Sequence, residues 1–406
     1  MNINTHFGYI SAMEHKAIVS ISGKKGPFEN VKNALAALDL TPLKGKRVMI
    51  KPNIGRAATF GRGYNTHPQA IAAIVEMAKE AGAGKIAIAE SPLVGVDTME
   101  AFRKGGVIDV AKKYNVELID MDAFKPVIKN ITNGRILENT KVCSPVYEYD
   151  FIISAPVSKT HMHTGVTLGI KNMKGCLYRH EKVRYHQLEY RDVVYPEKTL
   201  DSAISDLATI LLPDLTVIDG YIGMEGLGPS GGEAKQSDFC VASWHPMGAD
   251  VYGCLLMGLN PKDIPHLRLV SERCNLSLNP EAYQFVPKKF ESYIVPYKVP
   301  PTNISIEFEN IKIYDKESCS ACQSTLMLFL RRFKDDMTQY VLHDGKFHIA
   351  IGKGVENAID GTVFVGNCAR FMKDKGVIVL GCPPVPTRIY EAITGREPDE
   401  NEPEVQ

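Results

Sequence analysis

The stretch GKRVMIKPN (residues 45–53) is a short apolar run that ends in polar residues, as a buried strand does. HPQAIAAIVEMAKEAGAG (67–84) follows, with apolar residues at helical spacing and a glycine stop. KIAIAESP (85–92) is a second strand-like run. This strand–helix–strand order predicts neighbouring parallel strands joined by a crossover helix.

The same rhythm extends outward on the C-terminal side. Further helical and strand-like segments are TMEAFRKGGVIDVAKKYN (98–115), VELIDMD (116–122), YDFIISAPV (149–157), TLDSAISDLATILLPD (199–214) and LTVIDG (215–220). The pattern predicts an α/β fold with a mostly parallel sheet and helices on both faces. In such sheets the ligand crevice lies beyond the carboxyl ends of the strands.

Composition shifts divide the chain. We expect an α/β domain over 1–285 and a Pro- and Tyr-rich linker over 286–303. A smaller α/β unit that carries cysteines follows over 304–395, and an acidic, disordered tail over 396–406.

Charge and cysteine usage narrow the classes of function. The 406 residues include 47 Lys plus Arg and 47 Asp plus Glu, so no net positive field favours nucleic acid. No run approaches the roughly 18 apolar residues of a membrane span, and no secretion signal is visible. We therefore expect a cytoplasmic protein whose nine cysteines are mostly reduced, which favours metal binding or catalysis over disulfides.

Four cysteines lie in the C-terminal unit. Cys319 and Cys322 form a Cys-x-x-Cys turn, and Cys368 and Cys382 each follow a strand-like run, in VFVGNC and VIVLGC. If those two strands are parallel neighbours, both thiols lie at the same edge of the sheet. Four thiolates with nearby backbone amides suit a [4Fe–4S] cluster. Zinc is the alternative, although four-cysteine zinc sites usually carry two closely spaced pairs.

The densest polar segment is SAPVSKTHMHTGVTLGIKNMKGC (154–176), which a strand delivers to the crevice. His161 and His163 suit metal binding, acid–base chemistry or the positioning of an anion, and with Lys159 they are the candidate catalytic residues. Candidate ligands for a carboxylate or phosphate are Lys171, Asn172 and Lys174. The competing interpretation is a polar helix cap with solvated lysines.

Other candidate substrate-binding residues lie outside this polar segment. Lys51 and Asn53 follow the first strand, and His67 precedes a helix at which Thr66 is the alternative N-cap. Glu225 lies in the glycine-rich stretch DGYIGMEGLGPSGGEA (219–234), interpreted as a phosphate cradle or a mobile lid.

These stretches together resemble the domain-of-unknown-function 362 family over about residues 45–260. The most specific part is the KTH, TG and KNMKG series within residues 159–175. The resemblance implies an α/β fold and no settled reaction. Some members of that family look to carry iron–sulfur modules, commonly of ferredoxin type, whereas the cysteines here are spread over a C-terminal unit.

The residues favour an anaerobic-type iron–sulfur oxidoreductase that acts on a small anionic substrate in an interdomain crevice. One alternative is a non-catalytic electron carrier or cofactor-delivery scaffold, and another is an iron–sulfur lyase or dehydratase. A racemase-like enzyme with paired histidines as two bases is a more distant alternative. The expected partners are the substrate and a redox protein, and His245, His343 and His348 receive no role.

Overall fold

The computed structural model describes residues 16–190, 193, 195–229, 231–300, 308 and 310–398. The chain forms two compact units, Met1–Pro300 and Pro301–Gln406. Residues 286–300, which the sequence predicts as linker, belong to the first unit. Val286 pairs with Ser20 in its sheet, and Tyr297 is buried in its core. Most of the expected tail, 399–406, lies outside the described residues.

The first unit alternates strands and helices along most of its length. Its strands are β1 (Ile18–Gly23), β2 (Arg47–Pro52), β3 (Lys85–Glu90), β4 (Glu117–Asp120), β5 (Pro126–Asn130), β6 (Asn139–Cys143), β7 (Phe151–Ala155), β8 (Val157–His161), β9 (Gly165–Thr167), β10 (Leu215–Leu227), β11 (Gly231–Ser243) and β12 (Gln284–Val286). Its α-helices are α1 (Pro27–Ala36), α2 (Pro68–Glu80), α3 (Thr98–Lys104), α4 (Val107–Tyr114), α5 (Gly169–Asn172), α6 (Glu181–Arg184), α7 (Thr199–Ala208), α8 (Pro246–Leu256) and α9 (Pro265–Cys274).

A large mixed sheet organises this unit. Across the described residues it has ten strands, in the order β12-β1-β11-β10-β7-β2-β3-β4, with β8 and β9 attached beside β10. The run β10-β7-β2-β3-β4 is parallel, and antiparallel pairing is confined to β1 with β11, β10 with β11 and β8 with β9. The predicted α/β fold with a mostly parallel sheet is confirmed.

Side-chain alternation along β2 explains why both faces of the sheet are covered. Val48 and Ile50 belong to one hydrophobic core, which includes residues of α1 and α2. Met49 points the other way, into a second core that includes residues of α7 and α8. Because successive strand residues face opposite sides, an all-apolar strand needs helices on each face.

The glycine-rich stretch after Asp219 is not an irregular loop. It forms the far half of β10 and the start of β11, a long antiparallel hairpin. Glycine is needed there for close packing: a Cβ on Gly220 would lie 2.4 Å from the Phe239 ring, and one on Gly223 would lie 2.1 Å from the Tyr297 hydroxyl. The loop interpretation was wrong because glycine content alone does not distinguish a turn from a crowded strand.

The second unit is a smaller parallel sheet with helices. Its strands are β13 (Ile311–Asp315), β14 (Phe347–Ile351), β15 (Val363–Val365) and β16 (Ile378–Val379), and its α-helices are α10 (Ser320–Phe333) and α11 (Pro386–Thr394). The strands pair in that order, each parallel to the next. Of the predicted unit, residues 304–307 and 309 lie outside the described residues. Within the described residues, no helix is both long and apolar enough to cross a membrane.

Candidate functional site

The candidate site of the first unit lies at the carboxyl ends of its parallel strands. Lys51 lies near the end of β2, Glu90 ends β3, and Lys159 lies in β8, which follows β7 after one residue. All three side chains are at least 95% buried. The chain thus carries charged groups into the interior at the edge where α/β sheets bind ligands.

Lys51 forms a closed ion pair with Glu90. Its Nζ donates to the two carboxylate oxygens over 2.8 and 3.0 Å and to the Pro52 carbonyl over 2.7 Å. The carboxylate also accepts the backbone N–H groups of Ile54 and Ser91, over 2.8 and 2.9 Å. These contacts fill the hydrogen-bonding capacity of Lys51, so its position is that of a structural residue and not of a substrate ligand.

Two asparagines connect this ion pair to Lys159. Asn172 donates to the Lys51 carbonyl and to Ser154 Oγ, each over 3.1 Å, and its Oδ1 accepts from Asn53 Nδ2 over 3.2 Å. Asn53 Oδ1 in turn accepts from Lys159 Nζ over 2.8 Å. The two amides therefore hold side chains from three segments in register.

Lys159 is held differently from Lys51. Its Nζ donates to Asn53 Oδ1 and, over 2.6 Å, to the Tyr64 carbonyl, both neutral oxygens. Burial, followed by repulsion from Arg56 and Lys171, lowers the pKa of Lys159 to about 7. An amine with this pKa can accept or release a proton near neutral pH.

Three imidazoles lie next to one another beyond β8. The rings of His161 and His163 have centroids 5.6 Å apart, and those of His163 and His186 are 6.4 Å apart. The backbone N–H of His163 donates to His161 Nδ1 over 3.1 Å. Burial, then Lys171, holds the pKa of His161 well below its usual value, and burial, then Lys174, does the same for His186.

Lys171 and Lys174 complete this group. Lys174 Nζ donates to the Lys182 carbonyl over 2.9 Å and lies 2.8 Å from His186 Nε2, and burial holds its pKa well below the usual value. Lys171 Nζ makes one long hydrogen bond, 3.4 Å to Thr167 Oγ1, and burial lowers its pKa to about 7. We name the six side chains the cation cluster: Lys159, His161, His163, Lys171, Lys174 and His186.

The cation cluster has the chemistry of an anion site. Its lysine contacts described above are to neutral oxygens and an imidazole, and burial lowers the pKa of all three lysines, so the charged forms are disfavoured within the cluster. Buried cations without counter-charge are costly, and a bound carboxylate or phosphate would supply that counter-charge.

His67 and Glu225, two further candidate ligands, are not members of the cation cluster. His67, not Thr66, is the N-cap of α2, where its Nδ1 accepts from the Gln69 N–H over 3.2 Å. Its ring packs edge-on against Phe60, and burial lowers its pKa to about 4. Glu225 accepts from the Lys298 N–H over 2.9 Å and forms an ion pair with Lys235 over 3.3 Å.

His186 is the member of the cluster that the sequence did not reveal. It lies 12 residues after Lys174, and the chain between them contains the short helix α6. The stretch RHEKVRYH (179–186) is dense in basic and imidazole side chains, which is the only local signal. Such a density is also typical of a solvated surface. The contact between His186 and Lys174 therefore could not be predicted without the three-dimensional structure.

In the second unit the four candidate thiols lie on three segments. Cys319 is the N-cap of α10, and Cys322 follows in the first turn. A hydrogen bond from the Cys322 thiol, then backbone amides, lowers the pKa of Cys319 to about 6. The same hydrogen bond and burial raise the pKa of Cys322, as do the charges of Cys319, Cys382 and Cys368.

The turns after β15 and β16 approach each other and Cys322. The Asn367 N–H donates to the Gly381 carbonyl over 2.9 Å, and Asn367 Oδ1 accepts from the Gly381 N–H over 3.0 Å. A Cβ on Gly366 would lie 3.3 Å from Cys322 Sγ. Strands β15 and β16 are parallel neighbours, which is the arrangement under which both thiols lie at the same edge of the sheet. Cys368 and Cys382 are exposed, and among the described residues no three His, Cys, Asp or Glu side chains are gathered tightly enough to hold a metal ion.

A family profile described as a domain of unknown function, DUF362, matches residues 48–255. The chain belongs to the DUF362 family. The match includes every member of the cation cluster and ends before the second unit. A thylakoid-associated protein of Synechocystis sp. (strain ATCC 27184 / PCC 6803 / Kazusa) is 25% identical to this DUF362 chain over 267 residues, 65% of this chain and 79% of the relative.

Two solved structures are similar over part of their length. The lactate racemase apoprotein from Thermoanaerobacterium thermosaccharolyticum is 15% identical, with a TM-score of 0.41, over 60% of this chain and 58% of the other. A Thermotoga maritima protein from a structural genomics consortium is 12% identical, with a TM-score of 0.36, over 84% and 71% of the two chains. This DUF362 chain thus spans less than two thirds of the racemase.

Proposed function

We propose that the chain is an iron–sulfur oxidoreductase whose first unit binds a small anionic substrate. The observation that carries the proposal is the convergence of thiol-bearing segments in the second unit. Cys322 Sγ lies beside Gly366, and the turn after Gly366 is hydrogen-bonded to the turn that carries Cys382. This convergence supports a shared metal site. Four unrelated reduced cysteines would have no reason to lie on converging segments.

The chemistry of the donor set supports a [4Fe–4S] cluster held by Cys319, Cys322, Cys368 and Cys382. A hydrogen bond from the Cys322 thiol, then backbone amides at the start of α10, lowers the pKa of Cys319 and favours its thiolate, which is the form that binds a metal. A cluster on four thiolates supplies single-electron transfer. Zinc remains the alternative metal, because tetrahedral sites of four thiolates also bind it.

The cation cluster supports the anionic substrate. Lysine ammonium groups and protonated imidazoles attract carboxylates and phosphates. Lys159 Nζ is suited to proton transfer because its pKa is about 7. His161 and His163 are the other candidate proton carriers, and a hydrogen bond from the His163 backbone N–H to His161 Nδ1 fixes their spacing.

Four candidate thiol ligands favour an oxidoreductase over a lyase, since a lyase needs an iron that keeps an open coordination position. The non-catalytic alternative, an electron carrier or delivery scaffold, needs the thiols and not the cation cluster. Variants of the two units therefore separate these functions. The cytoplasmic location and the redox partner stay predictions from the sequence.

The test is a redox titration of protein purified without oxygen. The wild-type protein should be coloured, lose that colour with dithionite and recover it when an electron-accepting carboxylate or phosphate ester is added. Lys159→Met should bleach normally and fail to recover, because its substrate site is impaired while the thiols are intact. Cys322→Ser should be colourless from the start.

Lys262→Met is the matched control, because Lys262 is an exposed lysine of the same unit. It should behave as the wild type does. Recovery of colour in Lys159→Met at the wild-type rate would contradict the enzyme proposal and favour the electron carrier. A colourless wild-type protein that contains zinc would contradict both.

A further inference from the structure

Lys182 links the cation cluster to the ends of two strands, although it is not a member of the cluster. Its carbonyl accepts a hydrogen bond from Lys174 Nζ over 2.9 Å. Its own Nζ donates to the hydroxyl of Ser91, which lies just after β3, and to the Ser91 carbonyl over 3.2 Å. The same Nζ forms an ion pair over 3.2 Å with Asp122 Oδ2, just after β4. One buried lysine thus connects a cluster lysine to the carboxyl edge of the sheet.

The stretch 179–186, which we name the basic segment, sets the direction of the Lys174 side chain. Among the described residues, Lys174 Nζ has two hydrogen-bond partners, the Lys182 carbonyl over 2.9 Å and His186 Nε2 over 2.8 Å. Both partners belong to the basic segment. Whatever fixes the basic segment in place therefore also fixes the position of Lys174 Nζ.

Asp122 holds the basic segment at two points. Its Oδ1 accepts the Arg179 backbone N–H over 2.9 Å, and its Oδ2 accepts from Lys182 Nζ over 3.2 Å. A buried ammonium needs a counter-charge, which the Asp122 carboxylate supplies to Lys182. Glu181 anchors the same segment separately, because its Oε1 accepts from Thr140 Oγ1 over 2.9 Å.

We propose that Asp122 is a positioning residue of the anion site, which keeps the two partners of Lys174 Nζ in place. The proposal rests on the anion site of the proposed function. Without the Asp122 carboxylate, the buried Lys182 ammonium loses its ion pair and withdraws toward solvent, and its carbonyl moves away from Lys174 Nζ. The basic segment stays attached through Glu181, so the expected defect is in anion binding more than in folding.

The test is a double-mutant cycle on the full chain, with sulfate as the probe anion and calorimetry as the measurement. Asp122→Asn should bind sulfate roughly tenfold more weakly than the wild type, which is the lower end of the loss caused by removing an outer-shell partner of a metal ligand. Lys174→Met removes the Nζ that the basic segment orients, so it should also bind sulfate more weakly. The double variant should bind like Lys174→Met alone, because Asp122 then has no Nζ to position.

Asp150→Asn is the matched control. Asp150 also accepts a backbone N–H and pairs with a cation, in this case both from Arg47, over 2.9 and 3.0 Å. Arg47 begins β2, at the opposite end of that strand from Lys51. Asp150→Asn should therefore bind sulfate as the wild type does. Where Asp122→Asn does not give the wild-type circular dichroism spectrum, Asp122→Glu replaces it in the cycle, since it keeps the charge and displaces the carboxylate.

The outcomes separate this role from the anion site itself. A wild-type chain that binds no sulfate would overturn the anion site, and the role of Asp122 with it. If the wild type binds sulfate and the losses of Asp122→Asn and Lys174→Met add up in the double variant, the role of Asp122 is overturned while the anion site stands. Sulfate affinity that is unchanged in the Asp122 variant, or lowered equally in Asp150→Asn, would have the same meaning.

Discussion

At the scale of single residues, the buried lysines of the first unit divide by the partners that surround them. Lys51 faces the Glu90 carboxylate over 2.8 and 3.0 Å, whereas Lys159 faces neutral oxygens. The first arrangement is internally neutral, whereas the described contacts of Lys159 include no carboxylate. The partner and not the residue type thus separates a structural lysine from a candidate binding lysine.

Glu90→Gln should destabilise the protein strongly. The substitution leaves the Lys51 ammonium buried without a counter-charge. It also turns an amide nitrogen toward the backbone N–H groups that donate hydrogen bonds to the carboxylate. We expect a loss of about 3–5 kcal/mol in the free energy of unfolding, measured in urea.

Glu117→Gln is the control for that measurement. Glu117 forms an ion pair with Lys85 in which both side chains are about half exposed, 49% and 53%. Exposed pairs contribute about 0–1 kcal/mol, so this variant should change little. If Glu90→Gln lost no more stability than Glu117→Gln, the buried pair would not have the structural role described here.

The sequence identified part of the cation cluster and could not have completed it. Lys159, His161, His163, Lys171 and Lys174 lie within one segment, where a strand that enters the crevice brings them together. His186 lies just after the short helix α6, and only tertiary packing brings it near that segment. No local pattern marks residues that meet through packing of separate elements.

At the scale of elements, periodicity predicted the segments whose two faces are both buried. The run at 45–53 became β2 (Arg47–Pro52), and the helical spacing at 67–84 became α2 (Pro68–Glu80). The hairpin of β10 and β11 was missed because its glycines make room for two rings, Phe239 on the facing strand and Tyr297 much later in the sequence. Hydrophobic periodicity therefore predicted the elements whose structure depends on their own segment. It failed for the hairpin, whose glycines are explained by contacts with aromatic rings outside the local segment.

The turn after β15 gives a prediction at this scale. Gly366 has φ +104° and lies against Cys322 Sγ, so Gly366→Ala adds a methyl group 3.3 Å from the thiol. Positive φ at a residue with a Cβ costs roughly 1–3 kcal/mol. We expect lower stability and, because the thiol must move, less iron per chain in protein purified without oxygen.

Gly345→Ala separates the two effects. Gly345 has φ +75° in the same unit, and its added Cβ would meet nothing within 4 Å. It should lose similar stability and keep the wild-type iron content. Equal iron in both variants would argue that Gly366 does not support the thiol site.

At the scale of the whole molecule, the chain divides after Pro300 and not at the composition change near residue 286. Tyr297 explains the difference. Its hydroxyl is hydrogen-bonded to Ser158 and Ser237 over 2.8 and 2.9 Å, and its ring belongs to the core of the first unit. Proline and tyrosine content therefore indicated a linker where the chain in fact completes a domain.

Shortened chains test this boundary. A chain that ends at Pro300 should fold cooperatively and bind sulfate, because it retains both hydrophobic cores of the first unit. A chain that ends at residue 285 loses Tyr297, and removal of a large buried ring typically costs about 3–5 kcal/mol. Thermal unfolding followed by circular dichroism distinguishes them, and equal melting temperatures would place the boundary at residue 286 after all.

The metal and sulfide content of the whole chain purified without oxygen, with an electron paramagnetic resonance spectrum after dithionite, decides whether the second unit holds an iron–sulfur cluster. We expect about four irons and four acid-labile sulfides per chain, and their loss in Cys322→Ser and Cys382→Ser. One zinc per chain, or no metal, would contradict it. The second unit would then lack redox chemistry, and only the anion site of the first unit would remain as the candidate function.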